Sequence, residues 1–221
     1  MYEHIAFDVD GTLIDTQEAT ILALLKVLKE ETGKDFDFEE LKFVIGIPGE
    51  VSLPRLGIKN IDYVNRKWSA YLRHFTHHIK VYPGIRDMFM HLSDLGIKTG
   101  LVTSNTRYEL EELLNNFIPF KLKEYTQHII CADNTKRHKP HPEPLLKYLE
   151  VSGVNRAKVL YIGDTIYDMR CAEAAKIDFA LALWGNNSEK GIRAKFEFHS
   201  TDELYKLFDV CRNAENVNSF V

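Results

Sequence analysis

The sequence predicts an α/β protein, with an open parallel sheet covered by helices on both faces and an all-helical domain inserted after the first strand. Two observations lead to this prediction. From residue 82 onward, short apolar runs alternate with amphipathic helical patterns, which is typical of parallel strands joined by right-handed crossovers. Between residues 15 and 81 the apolar positions recur with helical spacing. We therefore expect a core of residues 1–14 and 82–221 and a helical cap of residues 15–81.

The first strand is predicted at Ile5-Ala6-Phe7, directly before the acidic turn Asp8-Val9-Asp10-Gly11-Thr12. In the inserted segment, apolar residues at i, i+3, i+4 and i+7 indicate an amphipathic helix, namely at Ile21, Leu24, Leu25 and Leu28. A second short helix is expected from Phe38 to the turn Gly46-Ile47-Pro48-Gly49, and helical spacing then continues as far as Phe75. The inserted segment is therefore predicted to be helical throughout.

The return to the core is marked by Tyr82-Pro83-Gly84, where the proline is placed to begin a helix. Four more strands are predicted, at Ile97–Val102, His128–Cys131, Val159–Ile162 and Phe179–Leu183. Helices are expected at 85–95, after the Thr106–Glu109 capping box, from Pro142, at 171–176 and from Ser200 to Cys211. Of the predicted strands, Val159–Ile162 is a continuous apolar run, which is typical of a strand buried on both faces of a sheet, and Phe179–Leu183 is interpreted in the same way.

Composition narrows the class of protein. The 221 residues are 45% hydrophobic, which is ample for a core, and the net charge of -4 gives no basic face for nucleic acid. The sequence contains no apolar run of spanning length and no paired cysteine motif, and we expect no signal peptide. We expect a cytoplasmic protein with no membrane or nucleic-acid partner, and the sequence leaves monomer and homodimer open.

Two acids, Asp8 and Asp10, follow the first strand within three residues. Carboxylates this close repel each other and raise each other's pKa unless a cation or hydrogen-bond donors stabilise them. The pattern favours a divalent metal site with one carboxylate left for chemistry. An ordinary acidic turn is the alternative, since Asp and Gly are common in turns.

Polar residues also follow three later strands, where ligands bind in open α/β sheets. Thr103-Ser104-Asn105 could cradle a phosphate oxygen or simply cap a helix, and Lys139 could neutralise a phosphoryl group or be solvated. Asp164 and Asp168 are spaced i, i+4 at a strand-to-helix turn and could face the first two acids or cap the helix. Taken together, these residues predict a site for phosphate and Mg²⁺.

The sequence resembles the haloacid dehalogenase superfamily of phosphohydrolases. All four motifs of that superfamily occur in order, at Asp8-Val9-Asp10-Gly11-Thr12, Thr103, Lys139-Pro140 and Gly163-Asp164 with Asp168. The resemblance implies a Rossmann-like three-layer core with a helical cap. It also implies that Asp8 is the nucleophile that forms an aspartyl-phosphate and that Asp10 is the general acid and base.

The same resemblance implies the ligands of both the metal and the phosphate. Mg²⁺ would be held by the Asp8 carboxylate, the backbone carbonyl of Asp10 and Asp164, with Asp168 binding or supporting it. The expected phosphate-binding residues are Thr103, Ser104, Asn105 and Lys139.

The expected function is Mg²⁺-dependent hydrolysis of a small phosphorylated metabolite. An acid at Asp10 favours phosphoryl chemistry, and Gly11–Thr16 and Tyr82–Ile85 resemble phosphoglycolate phosphatases and pyrophosphatases. A β-phosphoglucomutase-type reaction is a weaker alternative, because the turn Gly46-Ile47-Pro48-Gly49 lacks the arginine that such mutases usually carry. A non-catalytic regulatory relative is disfavoured, because pseudoenzymes tend to lose the nucleophile and metal acids that are present here.

Several histidines carry no firm prediction. His74, His77 and His78 are spaced for zinc but lack a nearby acid or cysteine to complete a site. His138 and His141 flank Lys139 without an assigned role, and Trp184-Gly185-Asn186-Asn187 is a possible short lid without chemistry.

Overall fold

The computed structural model describes residues 1–45, 49–118, 121–185 and 191–208. The chain divides into two compact units, of which one comprises Met1–Leu13 with Val81–Val221 and the other Ile14–Lys80. Their assignment as catalytic core and cap stays a prediction.

A six-stranded sheet forms the centre of the first unit. The strands of this sheet and of a separate two-stranded sheet are, in chain order, β1 (His4–Phe7), β2 (Ile14–Asp15), β3 (Lys80–Val81), β4 (Lys98–Val102), β5 (Thr126–Ile130), β6 (Val159–Gly163), β7 (Asp178–Ala182) and β8 (Phe196–Phe198). The strand order in the six-stranded sheet is β5-β4-β1-β6-β7-β8, and β2 pairs with β3 in the two-stranded sheet. Each pair described within the large sheet is parallel. The predicted α/β fold with a parallel sheet is confirmed.

The register of the central strands sets where the site can form. Phe7 of β1 lies opposite Leu101 of β4 and Ile162 of β6. The first polar residue after each of these strands therefore falls at the same edge of the sheet. β1 and β6 are buried along their whole length, so this edge is fixed by the apolar core of the unit.

The helices are α1 (Gln17–Thr32), α2 (Phe38–Leu41), α3 (Gly49–Arg55), α4 (Ile61–Leu72), α5 (Ile85–Asp94), α6 (Arg107–Asn116), α7 (Leu122–Tyr125), α8 (Glu143–Ser152) and α9 (Ile166–Ala175), followed by a helix over 201–208. The predicted helix at 171–176 begins earlier, because Thr165 caps α9. Cys211 and the turn residues Gly46, Ile47 and Pro48 lie outside the described residues. None of the helices in the described ranges combines the length and apolar character that crossing a membrane requires.

The second unit has an apolar core of its own. It is formed by residues of α1, of the short helices that follow it, of the connection before α4 and of α4 itself, namely Ile21, Leu24, Val27, Leu28, Leu41, Val44, Leu53, Ile58 and Val64. The indole of Trp68 packs on this cluster and donates to the carbonyl of Thr20 over 2.9 Å. The helical spacing in the sequence therefore corresponds to a packed helical unit.

Four short elements were not predicted, namely β2, β3, β8 and α7. β8 reads Phe-Glu-Phe and alternates buried and exposed positions over only three residues. β2 and β3 have two residues each, and α7 has four. Segments this short give too few positions for a periodic pattern to be recognised.

Candidate active site

The acids that follow β1 and β6 meet at one edge of the sheet. Oxygen atoms of Asp8, Asp164 and Asp168 all lie within 4.8 Å of one another. Asp8 is held in place by its backbone, which donates to the carbonyl of Ile162 over 2.8 Å. The three acids are 6%, 4% and 1% exposed, respectively. Three carboxylates are thus concentrated in a site almost without access to bulk water.

A buried lysine supplies positive charge to this cluster. The ammonium of Lys139 donates to Oδ1 of Asp8 over 2.6 Å and to Oδ1 of Asp168 over 2.8 Å. Its third donor reaches the hydroxyl of Tyr161 over 2.9 Å. Lys139 is 7% exposed and precedes a cis peptide bond to Pro140. One ammonium therefore stands against three carboxylates.

Sequence reasoning missed the role of Tyr161. Its hydroxyl also lies 2.8 Å from Oδ1 of Asp168 and 3.2 Å from the carbonyl of Val102. In the sequence, Tyr161 counts as one more apolar residue of a buried strand. The available signal was its hydroxyl, because a buried tyrosine hydroxyl usually has a hydrogen-bond partner.

The pKa values of the cluster show a shortage of positive charge. Burial raises the pKa of Asp8 from its ordinary value of 3.8 to about 7, although Lys139 opposes this shift. Burial, with the Asp168 and Asp8 charges, raises the pKa of Asp164 well above its ordinary value. Burial also opposes ionisation of Asp168, but the Lys139 ammonium outweighs it and lowers the pKa. Asp168 and Asp8 in turn raise the pKa of Lys139 against the effect of burial.

These residues fit a divalent cation. Mg²⁺ prefers oxygen ligands and commonly binds through one or two carboxylates together with waters and phosphate oxygens. The cluster of Asp8, Asp164 and Asp168 offers such oxygens at mutual distances within 4.8 Å. A second positive group would also balance the negative charge that Lys139 alone does not offset.

Gly11 of the acidic turn allows the carboxylate of Asp164 to lie close to the backbone of that turn. A Cβ atom on Gly11 would lie 2.1 Å from Oδ2 of Asp164, and the φ angle of Gly11 is +78°. The hydroxyl of the next residue, Thr12, donates to Oδ1 of Asp164 over 3.1 Å. The turn after β1 therefore both makes room for Asp164 and orients it.

The polar turn after β4 lies beside the second acid of the motif. Thr103 is buried, and its hydroxyl accepts from the backbone of Asn105 over 3.1 Å. The amide of Asn105 donates from Nδ2 to Oδ2 of Asp10 over 2.6 Å. Ser104 is exposed. The structure thus brings Asn105 to a carboxylate, while a role of this turn in binding phosphate stays a prediction.

Residues after β7 support the acidic turn from another side. The indole of Trp184 donates to the carbonyl of Thr12 over 2.8 Å. A Cβ atom on Gly185 would lie 1.5 Å from the carbonyl oxygen of Gly11, so only glycine fits there. Trp184 and Gly185 pack against the turn, and the remainder of the possible lid, Asn186-Asn187, lies outside the described residues.

The histidines without a firm prediction have local partners. His78 pairs through Nδ1 with Glu18 over 2.9 Å, and the ring of His74 packs edge-on against Tyr71. In the first unit, Nδ1 of His141 accepts from the backbone of Glu143 over 3.1 Å at the start of α8. An ion pair, a ring contact and a hydrogen bond to the backbone of this kind indicate a structural role for these histidines.

Comparisons with known proteins identify the family. The model of the haloacid dehalogenase-like hydrolase family matches residues 5–182. A phosphoglycolate phosphatase of Aquifex aeolicus is 32% identical over 209 residues, which are 93% of this chain and 96% of that protein. A pyrophosphatase PpaX of Bacillus cereus is 27% identical over 218 residues, which are 97% of each chain.

A solved structure agrees with these relatives in both fold and length. A protein provisionally named phosphoglycolate phosphatase, from Lactobacillus plantarum, aligns with a TM-score of 0.85 at 30% identity. The alignment covers 94% of this chain and 99% of that one. The chain belongs to the haloacid dehalogenase-like hydrolase family, as its motifs predicted.

Proposed function

We propose that this phosphatase hydrolyses a small phosphomonoester resembling phosphoglycolate, with Mg²⁺ bound and an aspartyl-phosphate formed on Asp8. The observation that carries the proposal is the buried Asp8 carboxylate, which lies 2.6 Å from Lys139 in a cluster of carboxylate oxygens. The substrate class is supported by the Aquifex aeolicus relative, which is named phosphoglycolate phosphatase and is 32% identical.

The first step requires Asp8 as an ionised nucleophile. Lys139 donates to Asp8 and so favours the charged form that attacks phosphorus. As the bond from Asp8 to phosphorus forms, the bond to the ester oxygen breaks, and Asp10 gives its proton to the departing alcohol. In the second step Asp10 takes a proton from the attacking water, and phosphate leaves Asp8.

The metal ligands are proposed from the donor set. Asp8, Asp164 and the backbone carbonyl of Asp10 would hold Mg²⁺, which when bound would offset the negative charge of the transferring phosphoryl group. Thr103, Ser104 and Lys139 would hold the phosphoryl oxygens.

Asp168 has the contacts of a supporting residue. Its Oδ1 lies within hydrogen-bond distance of Lys139 and Tyr161, and its Oδ2 accepts from the backbone and the hydroxyl of Thr165. A carboxylate offers about four acceptor sites, so these partners saturate it. A Cβ on Gly163 would also lie 2.5 Å from its Cγ. We therefore assign Asp168 to orienting Lys139 rather than to direct metal binding.

The unit Ile14–Lys80 is proposed as the cap that selects the substrate, because the sheet edge supplies only groups common to phosphate esters. A cytoplasmic location is proposed as well, supported by the buried free thiols of Cys131 and Cys171.

A substrate panel tests the proposal. Phosphate release would be measured from 2-phosphoglycolate, pyrophosphate, 4-nitrophenyl phosphate and β-glucose 1-phosphate, with Mg²⁺ and with EDTA. We expect Mg²⁺-dependent hydrolysis of phosphoglycolate that Asp8→Asn abolishes. Activity that survives in Asp8→Asn would refute the mechanism.

Pyrophosphatase activity is the second candidate, favoured by the Bacillus cereus relative. Preference for pyrophosphate over phosphoglycolate in the same panel would select it. Isomerisation of the sugar phosphate would select the mutase alternative, whose diagnostic turn at Gly46, Ile47 and Pro48 is outside the described residues.

A further inference from the structure

The contact between Asn105 and Asp10 suggests a role for Asn105 other than binding phosphate. The distance from Nδ2 of Asn105 to Oδ2 of Asp10 is 2.6 Å, and both side chains are half-buried. An ionised carboxylate only accepts hydrogen bonds, so the nitrogen of the amide must face it. The side chain of Asn105 is therefore committed to the carboxyl group that is proposed to carry the proton.

The turn that presents Asn105 is anchored on both sides. The backbone nitrogen of Asn105 donates to the hydroxyl of Thr103 over 3.1 Å, and the carbonyl of Asn105 accepts from the backbone nitrogen of Ala132 over 2.8 Å. The backbone nitrogen of Thr103 donates to the carbonyl of Ile130, the last residue of β5, over 3.0 Å. The amide donor is thus built on the sheet and not on an unsupported loop.

A fixed amide suits a group that must act first as acid and then as base. The amide has no ionisation of its own in the working range, so its donor is present in both steps. Because Oδ2 of Asp10 accepts from Asn105, the proton of the acid form belongs on Oδ1. The proton then leaves from and returns to one defined oxygen.

We propose that Asn105 is a positioning residue that aims the carboxyl group of Asp10 at the ester oxygen of the substrate. This inference rests on the proposed function. In the first step the proton on Oδ1 of Asp10 passes to the ester oxygen as its bond to phosphorus breaks and the bond from Asp8 forms. In the second step water attacks phosphorus and returns a proton to Oδ1, and the bond to Asp8 breaks.

The test uses two esters that differ in their need for an acid. An alkyl phosphate such as 2-phosphoglycolate must protonate its leaving alkoxide, whereas 4-nitrophenyl phosphate releases a stable phenolate. The constant kcat/KM reports the steps up to release of the alcohol and so isolates the acid role. It would be measured for Asn105→Ala, for Asp10→Asn and for the native protein.

We expect Asn105→Ala to lower kcat/KM for phosphoglycolate by about 10-fold to 100-fold, which is part of the roughly 100-fold to 10,000-fold that general acid catalysis contributes, because Asp10 itself is still present. For 4-nitrophenyl phosphate the loss should be no more than about 3-fold, well below that range. Asn116→Ala is the matched control, since that exposed asparagine donates to the carbonyl of Glu112 within α6. Should Asn105→Ala fail to fold, Asn105→Ser keeps a polar side chain but removes the amide donor.

The outcomes separate the inference from the proposed function. Suppose first that Asp10→Asn lowers kcat/KM more for phosphoglycolate than for 4-nitrophenyl phosphate. The positioning role of Asn105 is then overturned if Asn105→Ala lowers kcat/KM equally for both esters, or for neither. The proposed function itself is overturned if Asp10→Asn lowers kcat/KM equally for the two esters. It is also overturned if the native protein hydrolyses neither ester.

Discussion

Replacing Asp8 by asparagine should stabilise the metal-free protein while it abolishes catalysis. Asp8 is 6% exposed and shares its site with Asp164 and Asp168. Asparagine has nearly the same shape but no charge, so it removes the cost of a buried carboxylate. Lys139 keeps a carboxylate partner in the variant, because its ammonium also donates to Asp168 over 2.8 Å.

The magnitude follows from the pKa. Burial raises the pKa of Asp8 from 3.8 to about 7 despite Lys139, and a difference of this size corresponds to about 4 kcal/mol. Between about pH 4 and pH 7 the native state binds more protons at Asp8 than the unfolded state. The free energy of unfolding of the native protein should therefore fall as the pH rises through this window. The asparagine variant should lack that contribution.

Thermal unfolding in EDTA at pH 5, 6, 7 and 8 would measure the difference. We expect the variant to gain about 1–4 kcal/mol over the native protein at pH 8, or about 3 °C in Tm per kcal/mol, and less at pH 5. Asp94→Asn, at an exposed position, controls for the chemical change alone. A variant that is less stable than the native protein at pH 8, or a difference independent of pH, would refute the reasoning.

Three other changes test the surroundings of the cluster. Lys139→Met removes the positive charge beside the buried carboxylates and should lower the free energy of unfolding in EDTA by about 3–5 kcal/mol. The Tm should fall accordingly, and Mg²⁺ should partly restore it. Gly11→Ala places a Cβ 2.1 Å from Oδ2 of Asp164, so calorimetric titration should show Mg²⁺ binding at least about tenfold weaker, a loss of about 1.4 kcal/mol. Trp184→Phe removes the indole that donates a hydrogen bond to the acidic turn, and it should lower the free energy of unfolding by about 1 kcal/mol. A change in indole fluorescence on adding Mg²⁺ should persist in Trp68→Phe and vanish in Trp184→Phe.

Much of the sheet could be predicted because its central strands are buried on both faces. Val159–Gly163 is buried at every position, so its sequence is a continuous apolar run that periodicity detects. β8 is a short edge strand, and its three residues leave the alternation too brief to recognise. The carboxyl ends of the central strands then place Asp8 and Asp164 together without knowledge of any side-chain conformation.

Contacts that depend on side-chain direction could not be predicted in the same way. The position of Asn105 after β4 indicates a polar turn, but it does not say whether the amide faces a phosphate or Asp10. Tyr161 is invisible to an apolar pattern, although its hydroxyl lies within 2.9 Å of Lys139. Such roles depend on which donors the packed neighbours leave within reach, and this is decided only when the strands are assembled.

Charge balance explains why the separate motifs belong to one site. Lys139 cannot by itself neutralise the carboxylates of Asp8, Asp164 and Asp168, and the raised pKa of Asp8 and Asp164 records that shortage. The proposed mechanism needs Asp8 ionised, because a protonated carboxyl group is a poor nucleophile, yet burial raises the pKa of Asp8 and so favours its neutral form. A divalent cation bound by Asp8 and Asp164, as proposed above, would resolve this conflict, because it would favour the charged form of both carboxylates. Metal dependence and nucleophilicity are therefore expected to be one electrostatic property of the cluster, which a change to any of its acids should alter together.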